Sequence, residues 1–347
     1  MTVRRCAVLG SPIAHSLSPR IHTRAYEVLG IADEWRYDRY EVDESALAPL
    51  VASCGPEWVG LSCTAPLKQV VLTLGEPSHR ARLLGAGNTY LFNHGGTPRV
   101  ENTDVTGFLG ALARAGVTSA RRAILLGNGA TARSALYAVA ELGVRDAVVL
   151  ARSAQRAGDS LNALAGRLGV RLAFGPWGEV PDADAVDVLV STVSAPLRPD
   201  VAAGLVRLTR ASFDATYNHY PTELDRAARA AGIVQLSGVD LLVGQALDQI
   251  TLMTGRVCAA EPLLAVAYAA LDRALAHGGA GGNTGSPGSG PDREEEAMSH
   301  HDEMPTKGDG DDTSLDELNP EGVGGTLGAD NTFEPEEDED APVESDS

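Results

Sequence analysis

A glycine-rich turn between an apolar segment and a helical pattern constrains the fold of this chain more than any other feature. Residues 127–132 read Gly-Asn-Gly-Ala-Thr-Ala and fit the pattern G-x-G-x-x-A. An apolar strand is predicted just before the turn, at Arg122–Leu126, and a helix just after it, at Thr131–Leu142. Glycines in such a turn let the backbone approach a pyrophosphate, whose charge then lies at the N-terminus of the helix. The segment therefore predicts a dinucleotide-binding unit, with a merely tight turn as the alternative.

Strand-like and helix-like segments alternate along most of the chain. Patterns typical of strands occur at 3–9, 35–42, 58–63, 122–126, 147–151, 187–191 and 211–215. Helical patterns occur at 18–29, 44–53, 66–74, 105–115, 131–142 and 153–168, and two more helices are predicted between 239 and 277. This alternation predicts an α/β fold in which helices pack on parallel sheets, the second of them Rossmann-like.

The acidic residues are concentrated at one end of the sequence. The chain of 347 residues has a formal net charge of -19, and residues 278–347 alone hold 21 acidic and 2 basic residues. Residues 1–277 therefore have no formal net charge. The sequence lacks the basic patch typical of proteins that bind nucleic acids, so no such partner is expected. Residues 278–290 are rich in Gly, Ser and Pro, and the acidic remainder contains one aromatic residue, Phe333. Because such a segment buries too little apolar surface to offset its ordering entropy, we expect a disordered tail.

Several classes of protein are not expected from this sequence. No run of 18 apolar residues predicts a membrane span, and the N-terminal residues lack the apolar region of a secretion signal. The four cysteines are far apart, without C-x-x-C spacing, which disfavours a zinc site and suits a reducing compartment. We therefore expect a cytoplasmic protein without a metal site or a membrane partner.

Lysine usage singles out one side chain. Of the 26 basic residues in 1–277, 25 are arginine, and the exception is Lys68. Lysine can be tuned to donate and accept a proton, whereas arginine stays charged. Lys68 is therefore a candidate catalytic residue, and the alternative is a surface lysine retained by chance.

The residues after the second strand of the nucleotide unit indicate the cofactor. Enzymes that bind NAD usually place an acidic residue here to accept from the ribose 2′-hydroxyl. This chain has Arg152, Ser153 and Arg156 instead, with no acidic residue before Asp159. The two arginines could bind a 2′-phosphate through charge-assisted hydrogen bonds, so NADP(H) is the predicted cofactor. The alternative is that both arginines are solvated charges at a helix start.

The opening loop, residues 10–19, carries two hydroxyls just before a helix start. Ser16 and Ser18 could converge on a carboxylate there, favoured by the helix dipole. The alternative gives Ser18 an ordinary N-cap role and Ser16 a turn role. We expect His15 and His22 to be structural.

Six motifs occur in the order found in one enzyme family. The matching segments are Gly10–His22 (G-x-P-I-x-H-S-x-S-P-x-x-H), Ser62–Lys68 (close to N-V-T-x-P-x-K), Gly85–Thr89 (G-A-x-N-T), Asn102–Gly107 (N-T-D-x-x-G), Tyr217–Leu224 (Y-N-x-x-x-T-x-L) and Gly238–Ala246, a late glutamine motif. Together they resemble the shikimate dehydrogenase family over residues 1–277. The resemblance implies reversible, NADPH-dependent reduction of 3-dehydroshikimate to shikimate, a step toward the aromatic amino acids.

The resemblance also implies the site residues. Lys68 and Asp104 would form the catalytic pair. Ser16 and Ser18 would bind the substrate carboxylate close to Tyr217, and the ring hydroxyls would contact Thr64, Asn88 and Gln245. The implied cofactor ligands are Gly127, Asn128, Gly129, Ala130, Thr131, Arg152, Ser153, Arg156 and Gly238. Residues 1–104, completed by helices in 238–277, would form a small α/β substrate domain, and 105–237 would bind NADP.

The sequence departs from the family pattern at several positions. Ser62-Cys63 replaces the usual Asn-Val, Asn128 and Ala130 replace Ala and Gly in the turn, and Ala151 replaces an Asn. These departures bear on the substrate range and the cofactor preference. Two alternatives stay open: a dehydrogenase for quinate or aminoshikimate, since one ring substituent separates the substrates, and a non-catalytic regulatory protein that binds shikimate and NADP. A homodimer is also left open.

Overall fold

The computed structural model describes residues 2–217 and 219–278. Within these ranges two six-stranded sheets are flanked by helices, so the predicted α/β class is confirmed. The predicted disordered tail, residues 278–347, lies outside the described residues except for Gly278, which ends the last helix. None of the helices in the described ranges combines the length and apolarity needed to cross a bilayer.

The first sheet is mixed rather than parallel. Its strands are β1 (Arg4–Gly10), β2 (Trp35–Glu41), β3 (Trp58–Cys63), β4 (Glu76–Pro77), β5 (Thr89–Leu91) and β6 (Arg99–Glu101), in the order β2-β1-β3-β5-β6-β4. β1 runs parallel to β2 and β3, but β5 is antiparallel to both β3 and β6. The expectation of parallel sheets is therefore wrong here. β5 and β6 are joined by a short hairpin connection, which only antiparallel strands allow.

The second sheet is parallel throughout. Its strands are β7 (Arg122–Leu126), β8 (Asp146–Ala151), β9 (Arg171–Pro176), β10 (Val186–Ser191), β11 (Thr209–Asp214) and β12 (Val234–Leu236), in the order β12-β11-β10-β7-β8-β9. The order reverses between β7 and β10. Ligands of such sheets bind outside the carboxyl ends of the strands at this reversal, which is where the glycine-rich turn follows β7.

Helices connect the strands and cover both sheets. They are α1 (Ser18–Val28), α2 (Glu44–Ser53), α3 (His79–Leu84), α4 (Asp104–Arg114), α5 (Ala130–Glu141), α6 (Ala154–Leu168), α7 (Pro199–Arg207), α8 (Glu223–Ala231), α9 (Gly238–Thr254) and α10 (Glu261–Gly278). The two helices predicted at the end of the described chain are confirmed. They return to the first sheet, where Val243 of α9 and Leu263 of α10 share an apolar cluster with Ile21 of α1.

Helix α4, between the two sheets in sequence, approaches α9 unusually closely. A Cβ atom added at Gly244 of α9 would lie 2.6 Å from the backbone oxygen of Gly107 on α4 and 2.8 Å from its Cα. On its other side α4 packs against the second sheet, where Phe108 meets Phe213 of β11 with ring centroids 4.9 Å apart. Since any side chain would force the helices apart, the glycines set their separation.

One predicted helix does not form. Residues 66–74 were expected to be helical, but 65–69 form turns and a short 3₁₀ helix covers Val70–Thr73. The backbone oxygen of Lys68 accepts a hydrogen bond from the Gly87 nitrogen at 2.8 Å, so it is bonded to a distant segment rather than to the next helical turn. This tertiary bond places Lys68 on a turn after β3.

Candidate active site

A cavity opens between the two sheets at the carboxyl ends of their strands. It encloses about 630 Å³, counting the open solvent at its mouth. Nine predicted site residues line it: Ser16, Ser18, Thr64, Lys68, Asp104, Thr131, Tyr217, Gly238 and Gln245. The fold thus brings together segments more than 200 residues apart in sequence.

A buried ion pair forms part of the wall of this cavity. The Lys68 Nζ atom is 3.1 Å from Asp104 Oδ2, and the two residues are 9% and 3% exposed. Asp104 is the first residue of α4, where the helix dipole favours a negative charge. Lys68 also donates to the Thr131 Oγ1 atom at 3.3 Å. The cavity therefore holds a cation within a network that water reaches only in part.

The side chain of Asn88 connects Asp104 to other parts of the site. Its Nδ2 atom donates to Asp104 Oδ1 and to Gln245 Oε1, both at 2.8 Å. Its Oδ1 atom accepts from the Thr103 nitrogen at 2.8 Å, and Asn88 is only 1% exposed. Both amide hydrogens are therefore used within the protein. These contacts give Asn88 a positioning role, and its implied contact with a substrate hydroxyl stays a prediction.

The start of α4 is fixed by the residue two positions before the carboxylate. Asn102 Oδ1 accepts from the backbone nitrogens of Asp104 at 3.1 Å and Val105 at 3.4 Å. Its Nδ2 atom donates to the Ala86 oxygen at 3.1 Å. Asn102 thus caps the helix and ties it to the segment before β5, which holds Asp104 in place.

The two serines of the opening loop face the cavity at the N-terminus of α1. The helix begins at Ser18, so the alternative in which Ser18 caps it is wrong by one position. Ser16 supplies the bond instead, because its Oγ accepts from the Ser18 nitrogen at 3.3 Å. Tyr217 lines the same cavity, and burial raises the pKa of its phenol, which keeps it a hydrogen-bond donor.

A second series of hydrogen-bonded side chains, which reaches the wall of the cavity, was not predicted. Tyr37 donates to Ser62 Oγ at 2.6 Å, and Ser62 donates to Gln249 Oε1 at 2.9 Å. Ser62 and Gln249 line the cavity. Gln249 follows Gln245 by four residues on α9, so the two side chains share one face of the helix. This spacing is the signal by which the sequence could have indicated Gln249. Ser62, which stands where the family has Asn, is fully engaged by these partners.

His22 stacks on Tyr37 behind this chain, with ring centroids 3.8 Å apart. Burial lowers the pKa of His22 to about 3, so the imidazole is neutral. These observations agree with the predicted structural role of His22. Among the described residues no group of three or more His, Cys, Asp or Glu side chains is placed to hold a metal ion.

The glycine turn has the features that a pyrophosphate requires. Gly127 has a φ of +101°, and a Cβ there would lie 2.5 Å from Thr192 Oγ1. Gly129 caps α5 without a side-chain hydrogen bond, so the first backbone N–H groups of the helix are not covered by a cap. Ala130 is the first helical residue and needs no positive φ. The turn is also tied to α6, because the backbone oxygen of Asn128 accepts a hydrogen bond from Ser160 Oγ at 2.7 Å.

The predicted 2′-phosphate ligands lie at the start of α6, after the neighbouring strand β8. Arg152 and Arg156 are exposed there, outside the residues that line the cavity. Ser153 caps α6, since its Oγ accepts from the Arg156 nitrogen at 3.3 Å. The exposed guanidinium groups suit an anionic group outside the sheet edge.

A buried carboxyl group shapes the loop that carries Tyr217. Asp214 ends β11, and its Oδ1 accepts from the Thr216 nitrogen at 3.2 Å and from Thr216 Oγ1 at 3.0 Å. Its Oδ2 accepts from Thr222 Oγ1 at 2.9 Å, so Asp214 closes the loop on itself. Burial, with a smaller contribution from the nearby Asp225 carboxyl, raises the pKa of Asp214 to about 7.

The raised pKa of Asp214 predicts a pH dependence of stability. From about pH 4 to about 7 the folded chain binds a proton at Asp214 that the unfolded chain has lost, because the ordinary value is 3.8. The contribution of Asp214 to the free energy of unfolding therefore falls as the pH rises through this interval and is level above it. Thermal unfolding between pH 4 and 8 checks this. Asp214→Asn keeps the shape of the side chain and should show a smaller decline than the wild type, and equal declines would contradict the assignment.

Comparisons with known proteins show the family of this chain. The sequence model of the shikimate dehydrogenase substrate-binding domain matches residues 8–90. A shikimate dehydrogenase (NADP(+)) of Methanothermobacter thermautotrophicus is 32% identical over 280 residues, which cover 77% of this chain and 95% of that protein. The crystal structure of Mycobacterium tuberculosis shikimate dehydrogenase is 38% identical with a TM-score of 0.66, over 77% of this chain and 99% of that one. The Thermus thermophilus enzyme, solved in complex with NADP(H) and shikimate, is 30% identical with a TM-score of 0.65, over 77% of this chain and 100% of that one.

Proposed function

This chain belongs to the shikimate dehydrogenase family, and we propose that it reversibly reduces 3-dehydroshikimate to shikimate with NADPH, using Lys68 and Asp104 as its catalytic pair. The observation that carries the proposal is the buried contact of 3.1 Å between these two side chains in a cavity shared with Ser16, Ser18 and Gln245. Its place in the synthesis of aromatic amino acids follows from the reaction.

Lys68 supports the chemistry at the substrate carbonyl. NADPH, which the glycine turn and the N-terminus of α5 would hold, would supply the hydride for the carbonyl carbon, and negative charge would then develop on the carbonyl oxygen. The Lys68 ammonium stabilises this charge and gives its proton to the oxygen, so the ketone becomes an alcohol. Asp104 orients the ammonium through its Oδ2 atom, 3.1 Å away. In the oxidation direction the neutral Lys68 amine takes the hydroxyl proton.

Substrate recognition is assigned to the hydroxyl and amide groups around the pair. Ser16 and Ser18, at the start of α1, suit the substrate carboxylate, with Tyr217 as a further donor. Thr64 and Gln245 line the same cavity and would bind ring hydroxyls, and Asn88 donates to the Gln245 oxygen at 2.8 Å. A ligand without these hydroxyls would leave polar groups of the cavity unpaired, which is the basis of selectivity.

Substrate and cofactor are assigned to different parts of the chain. Residues 1–104 with 238–277 would bind the substrate, and 105–237 would hold NADP(H). The glycine turn with its positive φ at Gly127 and the uncovered N-terminus of α5 support this division. Gly238, an implied cofactor ligand at the start of α9, packs closely against the end of β11, since a Cβ there would lie 2.5 Å from the Ala215 oxygen. A cytoplasmic location and a homodimer stay predictions from the sequence.

Steady-state oxidation of shikimate and of quinate, each with NADP+ and with NAD+, tests the proposal. We expect the highest kcat/KM for shikimate with NADP+. A higher value for quinate would favour the quinate dehydrogenase alternative. Binding of shikimate without any turnover would favour the regulatory alternative, and either result would overturn the proposal.

The choice of cofactor gives a separate prediction. Replacing both Arg152 and Arg156 by Ala removes the cations assigned to the 2′-phosphate, so kcat/KM for NADP+ should fall by about a hundredfold. The value for NAD+ should change by less than about threefold, since NAD+ has no such phosphate. Arg207→Ala, an exposed arginine on α7, serves as the control. Equal losses for both cofactors would contradict this role of the arginines.

A further inference from the structure

Thr131 is implied as a cofactor ligand, yet its hydroxyl contacts the candidate catalytic lysine. Lys68 Nζ donates to Thr131 Oγ1 at 3.3 Å and to Asp104 Oδ2 at 3.1 Å. Thr131 is the second residue of α5 and is 9% exposed. The ammonium thus lies between two acceptors from different parts of the fold. Asp104 follows β6 of the first sheet, and Thr131 follows β7 of the second sheet.

The other residues of the glycine turn do not share this orientation. Gly127, Asn128, Gly129 and Ala130 are absent from the wall of the substrate cavity, whereas Thr131 lines it together with Lys68. Its side chain therefore faces the substrate side of the turn.

We propose that Thr131 is a positioning residue for Lys68, an inference that rests on the proposed function. An ammonium group rotates about its Cε–Nζ bond and carries three equivalent N–H groups. When one points at Asp104 and another at Thr131, the direction of the third is fixed. The reaction requires an N–H directed at the substrate oxygen, and an acceptor at Thr131 in addition to Asp104 restricts the rotation of the ammonium further.

The chemistry of a hydroxyl suits this task. The threonine oxygen accepts a hydrogen bond without adding a second negative charge, so Asp104 remains the counter-ion. The Thr131 hydroxyl also keeps its own hydrogen and can still donate to an anion at the start of α5. Loss of the hydroxyl should therefore appear in the rate of the chemical step rather than mainly in cofactor affinity.

The first test compares two substitutions at this position. Thr131→Val keeps the shape and removes the hydroxyl, and we expect kcat for shikimate oxidation to fall about tenfold with KM for NADP+ within about twofold. Thr131→Ser restores the hydroxyl and should recover most of kcat. Thr251→Val, on α9, controls for loss of a helix hydroxyl, since Thr251 Oγ1 bonds only to the Leu247 oxygen among the described contacts. Unchanged kcat with a raised KM for NADP+ in Thr131→Val would overturn the proposal.

The second test needs no turnover. The chain has two lysines, Lys68 and Lys307, so acetylation by acetic anhydride can be followed at each by mass spectrometry. The hydroxyl stabilises the protonated amine, so in Thr131→Val labelling of Lys68 relative to Lys307 should rise roughly threefold, and in Thr131→Ser it should stay near the wild-type ratio. Equal ratios in all three proteins would overturn the proposal. If the wild type fails to oxidise shikimate, the proposed function fails, while labelling still decides whether Thr131 holds the amine.

Discussion

Lys68→Ala lowers kcat for shikimate oxidation with NADP+ by about a thousandfold in our expectation, with KM changed by less than about threefold. The lysine is expected to act on charge that develops in the transition state, whereas the contacts proposed for Ser16, Ser18 and Gln245 would already form with the bound substrate. A loss confined to kcat is the pattern expected for such a group. Steady-state kinetics over a range of shikimate concentrations measure both constants.

Lys307→Ala is the matched control for this prediction, because it removes the only other lysine of the chain. Loss of Lys68 also leaves the buried Asp104 without its cation, which can destabilise the fold. Circular dichroism and thermal unfolding of Lys68→Ala, and of Lys68→Met with its longer side chain, separate misfolding from lost chemistry. Turnover close to that of the wild type in a folded variant would refute the catalytic role of Lys68.

Gly244→Ala is expected to destabilise the protein by about 1–3 kcal/mol and to lower Tm by roughly 5 °C. The added methyl group would lie 2.6 Å from the Gly107 oxygen and 3.0 Å from its carbonyl carbon. These atoms belong to the backbone of α4, so relief requires that a whole helix move. Thermal unfolding followed by circular dichroism measures the effect.

Gly166→Ala is the control for the chemistry of this substitution. Gly166 lies inside α6, and a Cβ added there meets no atom within 4 Å. Alanine in an open helical position should raise stability by about 0.5–1 kcal/mol. If Tm falls in Gly244→Ala and rises in Gly166→Ala, the loss of stability comes from the contact between α4 and α9. Equal shifts of Tm in the two variants would contradict this explanation.

Local sequence signals were sufficient to predict the strand, turn and helix at the start of the second sheet and to single out Lys68. An apolar strand, a glycine turn and a helix follow one another within 20 residues at 122–141, so their geometry depends little on distant segments. Lys68 stood out because arginine fills every other basic position of 1–277. Its pairing with Asp104 rested on the family resemblance, since no local pattern links residues 36 positions apart.

Features that depend on tertiary contacts were not predictable in the same way. The strands β4, β5 and β6 have two or three residues each, too few to show a period, and pair only because the first sheet is already present. The turn at Lys68 depends on its bond to Gly87. The link from Tyr37 through Ser62 to Gln249 joins three elements, and no one of them carries a signal for it.

The contacts of the Lys68 ammonium connect the two sheets at a single atom. Lys68 lies on the turn after β3 of the first sheet. Its carboxylate partner begins α4, whose Gly107 touches Gly244 of α9 on one side and whose Phe108 packs on Phe213 of the second sheet on the other. Its hydroxyl partner Thr131 lies on α5, directly after β7 of the second sheet. Any displacement of one sheet relative to the other would therefore change the surroundings of this one nitrogen, which makes the amine a reporter of how the two sheets are arranged.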